Sequence, residues 1–161
     1  MIVLIGSEKG GVGKSTLAAH AAARLAMTGK PTFLVDADPQ QTSWRWAMAR
    51  KKYRPEAPAV ESATFVGDLR PELEKLAKTY GHIVIDCGGA DSMALRSDMM
   101  WAHRMIIPSR VARRDIETLQ HVSKLVSGAN AERTKNGNTP MIARVVFNGI
   151  KALPSFWSRI E

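Results

Sequence analysis

Residues 8 to 16 read Glu8-Lys9-Gly10-Gly11-Val12-Gly13-Lys14-Ser15-Thr16, between the apolar run Ile2-Val3-Leu4-Ile5 and an alanine-rich stretch at helical spacing. A short β-branched run followed at once by glycines is the pattern of a buried parallel strand running into a loop. Glycines let successive backbone N–H groups turn inward around an anion, and the helix that follows points its positive dipole end at the same place. The strand–loop–helix context therefore predicts a phosphate-binding loop, with Gly10, Gly11, Val12, Gly13, Lys14, Ser15 and Thr16 as its cradle. Lys14 is placed to reach β and γ phosphates and the Ser15 hydroxyl to ligate Mg²⁺. A flexible turn carrying two solvated lysines is the competing reading, and the position between strand and helix weighs against it.

Further along, strands and helices alternate. A helix is expected over Ser15 to Met27, with Leu17, Ala18, Ala21, Ala22, Leu25 and Ala26 on one face and Gly29 at its stop. A strand over Thr32 to Val35 runs into Asp36-Ala37-Asp38-Pro39, and a helix over Gln41 to Lys52 ends before Pro55 and Pro58. A short strand near Val60 to Phe65, a surface helix over Gly67 to Tyr80 and a strand His82 to Ile85 ending at Asp86 follow. Helix Ser92 to Trp101, strand Met105 to Ile107, helix Arg113 to Val126, a polar segment Asn130 to Pro140 and strand Met141 to Phe147 complete the series. Such βαβ alternation gives one three-layer α/β domain over 1–161, a P-loop NTPase fold whose mostly parallel sheet carries helices on both faces. Its ligand belongs at the carboxyl ends of the strands.

Two strands end in carboxylates on that side: Asp36 and Asp38 after one, Asp86 after another. A carboxylate leaving a parallel strand beside a phosphate loop can hold Mg²⁺ through its water shell or orient an attacking water. A single Asp in such a place is more often a turn or cap residue, but three at these positions reverse that preference. No Ser-His-Asp or Cys-His arrangement is visible, so any catalysis rests on positioning and charge stabilisation.

The Lys9-Gly10-Gly11 opening, with Glu8 where an ordinary phosphate loop has glycine, resembles the deviant Walker A motif of the ParA, MinD and nitrogenase iron-protein superfamily. Val35-Asp36-Ala37-Asp38-Pro39-Gln40 resembles that family's A-prime segment, and Ile85-Asp86-Cys87-Gly88-Gly89 its Walker B strand. Among its members, the chain is most similar to ParA-type partition ATPases. The resemblance implies that Lys9 reaches across a dimer interface to the partner's phosphates. It also makes Asp38 the hydrolysis-critical residue and a metal-side carboxylate, Asp86 the magnesium-side carboxylate and Asp36 a supporting neighbour. Asn148, at the end of the last strand, falls where the family places an asparagine against adenine; a turn residue is the alternative, and Pro108 is expected just past a strand end on the same side. Gly88 and Gly89 are candidates to offer a backbone N–H to the γ-phosphate.

The implied activity is that of an ATPase with ATP/ADP and Mg²⁺ as cofactors, weak without a partner. The implied cycle is an ATP-dependent homodimer that binds non-specific DNA and is released by a ParB-like centromere-binding partner. Other readings are a low-turnover, nucleotide-dependent module on DNA or conjugation machinery and a MipZ- or MinD-like division-site ATPase. A net charge of +8 favours a polyanion. Two arginine-rich clusters are candidates for it: Arg45, Arg50, Lys51, Lys52 and Arg54, and Arg110, Arg113 and Arg114. Trp44 and Trp46 lie two apart on a helix and cannot form a paired stacking platform.

The single Cys87 excludes an intrachain disulfide and a multi-cysteine iron–sulfur site. No run approaches the ~20 apolar residues of a membrane span, so no membrane partner and a cytoplasmic, nucleoid-associated location are expected. ParA-type chains usually continue some tens of residues past the equivalent of Asn148. The C-terminal part of the family fold is therefore expected to be missing here, and Ser155 to Glu161 is too short for an amphipathic membrane helix.

Overall fold

The computed structural model describes residues 1–88 and 92–149, the side chains of 92, 93 and 113–116 excepted. Gly89, the segment from Ser155 to Glu161 and the Arg113 and Arg114 side chains, all singled out above, lie outside the described part. In chain order the elements are β1 (Ile2–Ile5), α1 (Lys14–Ala26), β2 (Thr32–Ala37), α2 (Thr42–Tyr53), β3 (Glu61–Thr64) and α3 (Arg70–Thr79). They continue with β4 (His82–Cys87), α4 (Ser92–Met99), β5 (Arg104–Ser109), α5 (Arg113–Lys135) and β6 (Ile142–Phe147).

The strands form one sheet in the order β3-β2-β4-β1-β5-β6, and every pairing is parallel. Period-2 alternation divides the sheet's side chains between two cores. Val3, Ile5, Leu34 and Val84 meet Ala18, Ala22 and Ala26 of α1 and Ala47 of α2 on one face. Ile2, Leu4, Val35, Ile83 and Ile85 meet Leu73 of α3, Met99 of α4 and Val122 of α5 on the other. Right-handed crossovers require this division: the chain moves one way through α1 and α2, then reverses through α3, α4 and α5. The alanine face of α1 lets it lie close against the central strands, which fixes the height of its N-terminus above them.

The chain from β1 turns toward β2 through α1, whereas β4 crosses over β1 to reach β5. That reversal opens a crevice at the carboxyl ends of β1 and β4, where an α/β sheet binds its ligand.

Strands β2 and β4 each run two residues past the expected Val35 and Ile85, so Asp36 and Asp86 lie within them. Strand β5 and helix α5 also differ from the sequence expectation. Strand β5 runs through Pro108 to Ser109, where a strand ending at Ile107 was expected. Its pairing with β1 stops at Ile106, whose carbonyl accepts the Gly6 N–H at 3.2 Å. By alternation Pro108 faces the same side, where β1 has already turned into the loop, so no ladder bond is lost by its missing N–H.

Helix α5 continues to Lys135, through residues expected to be a polar connection. The reason is tertiary. Arg133 is buried, and its guanidinium donates to the carbonyls of Thr139 at 2.9 Å, Met99 at 3.1 Å and Met100. Asn130 brackets Met141, donating to its carbonyl at 3.0 Å and accepting its N–H at 2.7 Å.

Candidate functional site

The phosphate loop leaves β1 at Gly6 and enters α1 through Gly13, which sits in the left-handed region at φ 96°. Neither a side-chain cap nor an acidic residue occupies the first turn of α1. Its first N–H groups therefore face the crevice with the helix dipole behind them, an arrangement that attracts an anion. Lys14 is buried to 7% exposure, and its ammonium donates to the Lys9 carbonyl at 2.8 Å, which closes the loop on itself.

Opposite the loop stand the strand-end carboxylates. Asp36 and Asp86 are register partners on β2 and β4, and both are completely buried. Their environments differ. Asp36 accepts the N–H of Asp38 at 3.0 Å and of Trp44 at 2.8 Å, so one carboxylate orders the next loop and caps α2. Asp38 accepts the Gln40 N–H at 2.9 Å in a tight turn and lines the crevice.

Asp86 has no hydrogen-bond partner for either oxygen. Burial pushes its carboxyl up to about 6, while the nearby Ser15 and Ser43 hydroxyls pull it back down and Asp36 and Asp38 raise it further. An orphaned carboxyl beside Ser15 at the base of a phosphate loop fits Mg²⁺, a hard cation held by one or two oxygen side chains, waters and ligand phosphates.

The crevice is an open cavity of about 1150 Å³, ample for a nucleotide. One wall is the loop from Glu8 to Thr16. The other is Val66 to Arg70 before α3, together with Gly88 and the Ala94, Ser97 and Asp98 face of α4. Lys14, Ser15, Asp38 and Gly88 are thus gathered in one place, as expected. Cys87 is 2% exposed and burial drives its thiol upward, so it is a packed side chain and not a nucleophile.

Asn148 borders the loop, but its amide is committed to the chain's own backbone. It donates to the Val12 carbonyl at 3.2 Å and accepts the Gly149 N–H at 2.8 Å. Arg110, considered above with the DNA candidates, donates to the Gly11 carbonyl. On α2, Arg45 donates to the Gln40 carbonyl at 2.7 Å, Lys51 pairs with Glu61 at 3.7 Å and Arg54 with Glu56 at 3.7 Å.

Sequence reasoning missed the side chains that brace the site from afar. These are Ser43 beside Asp86, Asp98 on α4, and His121 of α5, whose imidazole meets Glu8 at 2.7 Å. No local pattern marks them, because each is brought in by a crossover.

Similarity to known proteins agrees with this geometry. Residues 3–153 match the model of the CobQ/CobB/MinD/ParA nucleotide binding domain. The chain is 32% identical over 136 residues to the maintenance of carboxysome distribution protein A of Gloeobacter kilaueensis, covering 80% of this chain and 59% of that relative. A putative plasmid partition protein from Borrelia burgdorferi B31 bound to AMPPNP superposes with TM-score 0.70 at 19% identity, over 99% of this chain and 78% of the other. The pNOB8 ParA bound to nonspecific DNA superposes with TM-score 0.69 at 17% identity, over 94% and 68%. With residues 3–153, nearly the whole chain, matched by that model, this protein belongs to the CobQ/CobB/MinD/ParA nucleotide-binding domain family.

Proposed function

We propose that the chain is an ATP-binding, slowly hydrolysing switch of the ParA type. In this reading it pairs on ATP, binds DNA without sequence preference in that state, and is reset by a partner protein that stimulates hydrolysis. The observation that carries the reading is the orphaned, buried Asp86 carboxyl beside Ser15 at the base of an uncapped helix N-terminus. The partition protein bound to AMPPNP and the ParA bound to nonspecific DNA support the choice of nucleotide and of polyanion. The net charge of +8 points the same way.

Phosphates would lie across the N–H groups of residues 10 to 16, with Lys14 turning from the Lys9 carbonyl to the β and γ oxygens. Ser15, with Asp86 and Asp38 acting through waters, would hold Mg²⁺, which neutralises charge on the β and γ phosphates. Asp38 stands on the crevice wall where an attacking water is oriented. Turnover alone would be slow, and Lys9 supplied by a second subunit would add positive charge at the transferring phosphate. Asn148 could meet the base only after exchanging its bond to Val12. The protein would act in the cytoplasm on the nucleoid; no described helix is long and apolar enough to cross a membrane.

Similarity to the carboxysome-distribution relative supports a second reading, in which the same switch positions a cargo other than a plasmid. The test of the shared core is molecular mass in solution with Mg²⁺ and no nucleotide, ADP, or AMPPNP, alongside Lys14→Ala. Dimer with AMPPNP alone, lost in Lys14→Ala, is the expected result. Normal ATP binding and hydrolysis by Lys14→Ala would overturn the site.

A further inference from the structure

Glu8 and His121 meet across 2.7 Å from positions 113 residues apart, one at the leading edge of the phosphate loop and the other on α5. Glu8 occupies the place an ordinary phosphate loop gives to glycine, and it immediately precedes Lys9. Its side chain is 24% exposed and that of His121 52% exposed. The contact continues inward: Lys9 lines a narrow crevice with Ser7 and Val12 of the loop and Thr118, Leu119 and Val122 of α5. The leading edge of the loop is therefore packed on α5 of its own chain.

We propose that His121 is a positioning residue: through Glu8 it fixes the leading edge of the phosphate loop and holds Lys9 against its own subunit. The inference rests on the reading that Lys9 serves a partner's nucleotide, because a lysine that must cross an interface has first to leave α5. The contact joins an imidazole nitrogen to a carboxylate oxygen, so removing either side chain loosens the hold. Glu8 faces His121 directly; Lys9 lies beside Glu8, and Glu117 and Lys124 lie one turn to either side on α5.

Two measurements on the full chain test this with His121→Ala and Glu8→Ala. The first is the rate at which an amine-reactive reagent labels Lys9 in nucleotide-free protein, read by mass spectrometry. Both variants should label about 2- to 5-fold faster than wild type, the size expected for an exposed pair. The second is the protein concentration for half-dimerisation with AMPPNP and Mg²⁺, which should fall by a similar factor in both variants.

Equal labelling of Lys9 in all three proteins overturns the proposal, as does weaker dimerisation in either variant. If labelling rises as expected while wild type stays monomeric with AMPPNP, the hold on Lys9 stands and the dimer reading falls.

Discussion

The Asn148 amide nitrogen, which donates to the Val12 carbonyl, lies 2.3 Å from where a Cβ on Gly13 would stand. The end of β6 and the entrance of α1 are thus built around the missing side chain of one glycine, which also holds φ at 96°. Gly13→Ala combines a collision with a left-handed backbone and should lower unfolding free energy by about 1–3 kcal/mol. Adding Asn148→Ala removes the collision but not the strain, so the double variant should recover only part of the loss. Urea unfolding of the two variants checks this.

Burial raises the pKa of Asp86 to about 6 against an ordinary 3.8, and in the proposed site this couples stability to function. The folded state binds the proton more tightly than the unfolded chain, so stability falls as pH rises from about 3.8 to 6 and stays lower above that. Asp86→Asn should therefore stabilise nucleotide-free protein at pH 7.5 by about 1–3 kcal/mol. It should also weaken Mg²⁺-dependent nucleotide binding by about 10- to 100-fold, the usual effect of losing an outer ligand. Calorimetry of both quantities on one sample would show the exchange.

Asp98 behaves in the same sense. Buried on α4 with Oδ2 unpartnered, it is pushed up to about 7, the Cys87 thiol pulling it slightly down. The stability gained by Asp98→Asn should grow from pH 5 to about 7 and then level off. His82 and His103, whose imidazoles burial pushes below the ordinary 6.5, act oppositely, costing stability as pH falls below 6.5 in both proteins. Melting temperatures of the two proteins across that range isolate the Asp98 contribution as a difference.

Arg133 is the pin of the long α5. Replacing it with Met keeps the stem and leaves buried carbonyls of Met99 and Met100 without their donor. The expected cost is about 2–4 kcal/mol, measured by denaturant unfolding, with loss of helix at the C-terminal end of α5.

DNA binding, if it neutralises three to five phosphates, should weaken with salt at a log–log slope of about −3 to −4.5. Anisotropy of a random duplex with AMPPNP-loaded protein gives the slope. A flat response would remove DNA from the proposed cycle.

Much of the site was legible in order along the chain. The glycines and Lys14 had to lie between a strand and a helix, and Asp36, Asp38 and Asp86 had to leave parallel strands on the ligand side, because local periodicity already set both. What could not be read was which carboxylate would be satisfied. Asp36 and Asp86 are register partners with equal burial, yet one meets two backbone N–H groups from the turn into α2 and the other meets none. Only the path of the chain after β2 decides that.

The sequence by itself determined the alternation of strands and helices, the phosphate loop and the side of the sheet on which chemistry collects, all consequences of short-range spacing and backbone preference. The tertiary structure alone decided that α5 runs on to Lys135, that Pro108 lies within β5, and that Glu8 meets His121 and Val12 meets Asn148. Each of these is a contact between distant segments, and it exists because crossovers bring β5, α5 and β6 beside the loop that follows β1; nothing in the spacing of neighbouring residues encodes it.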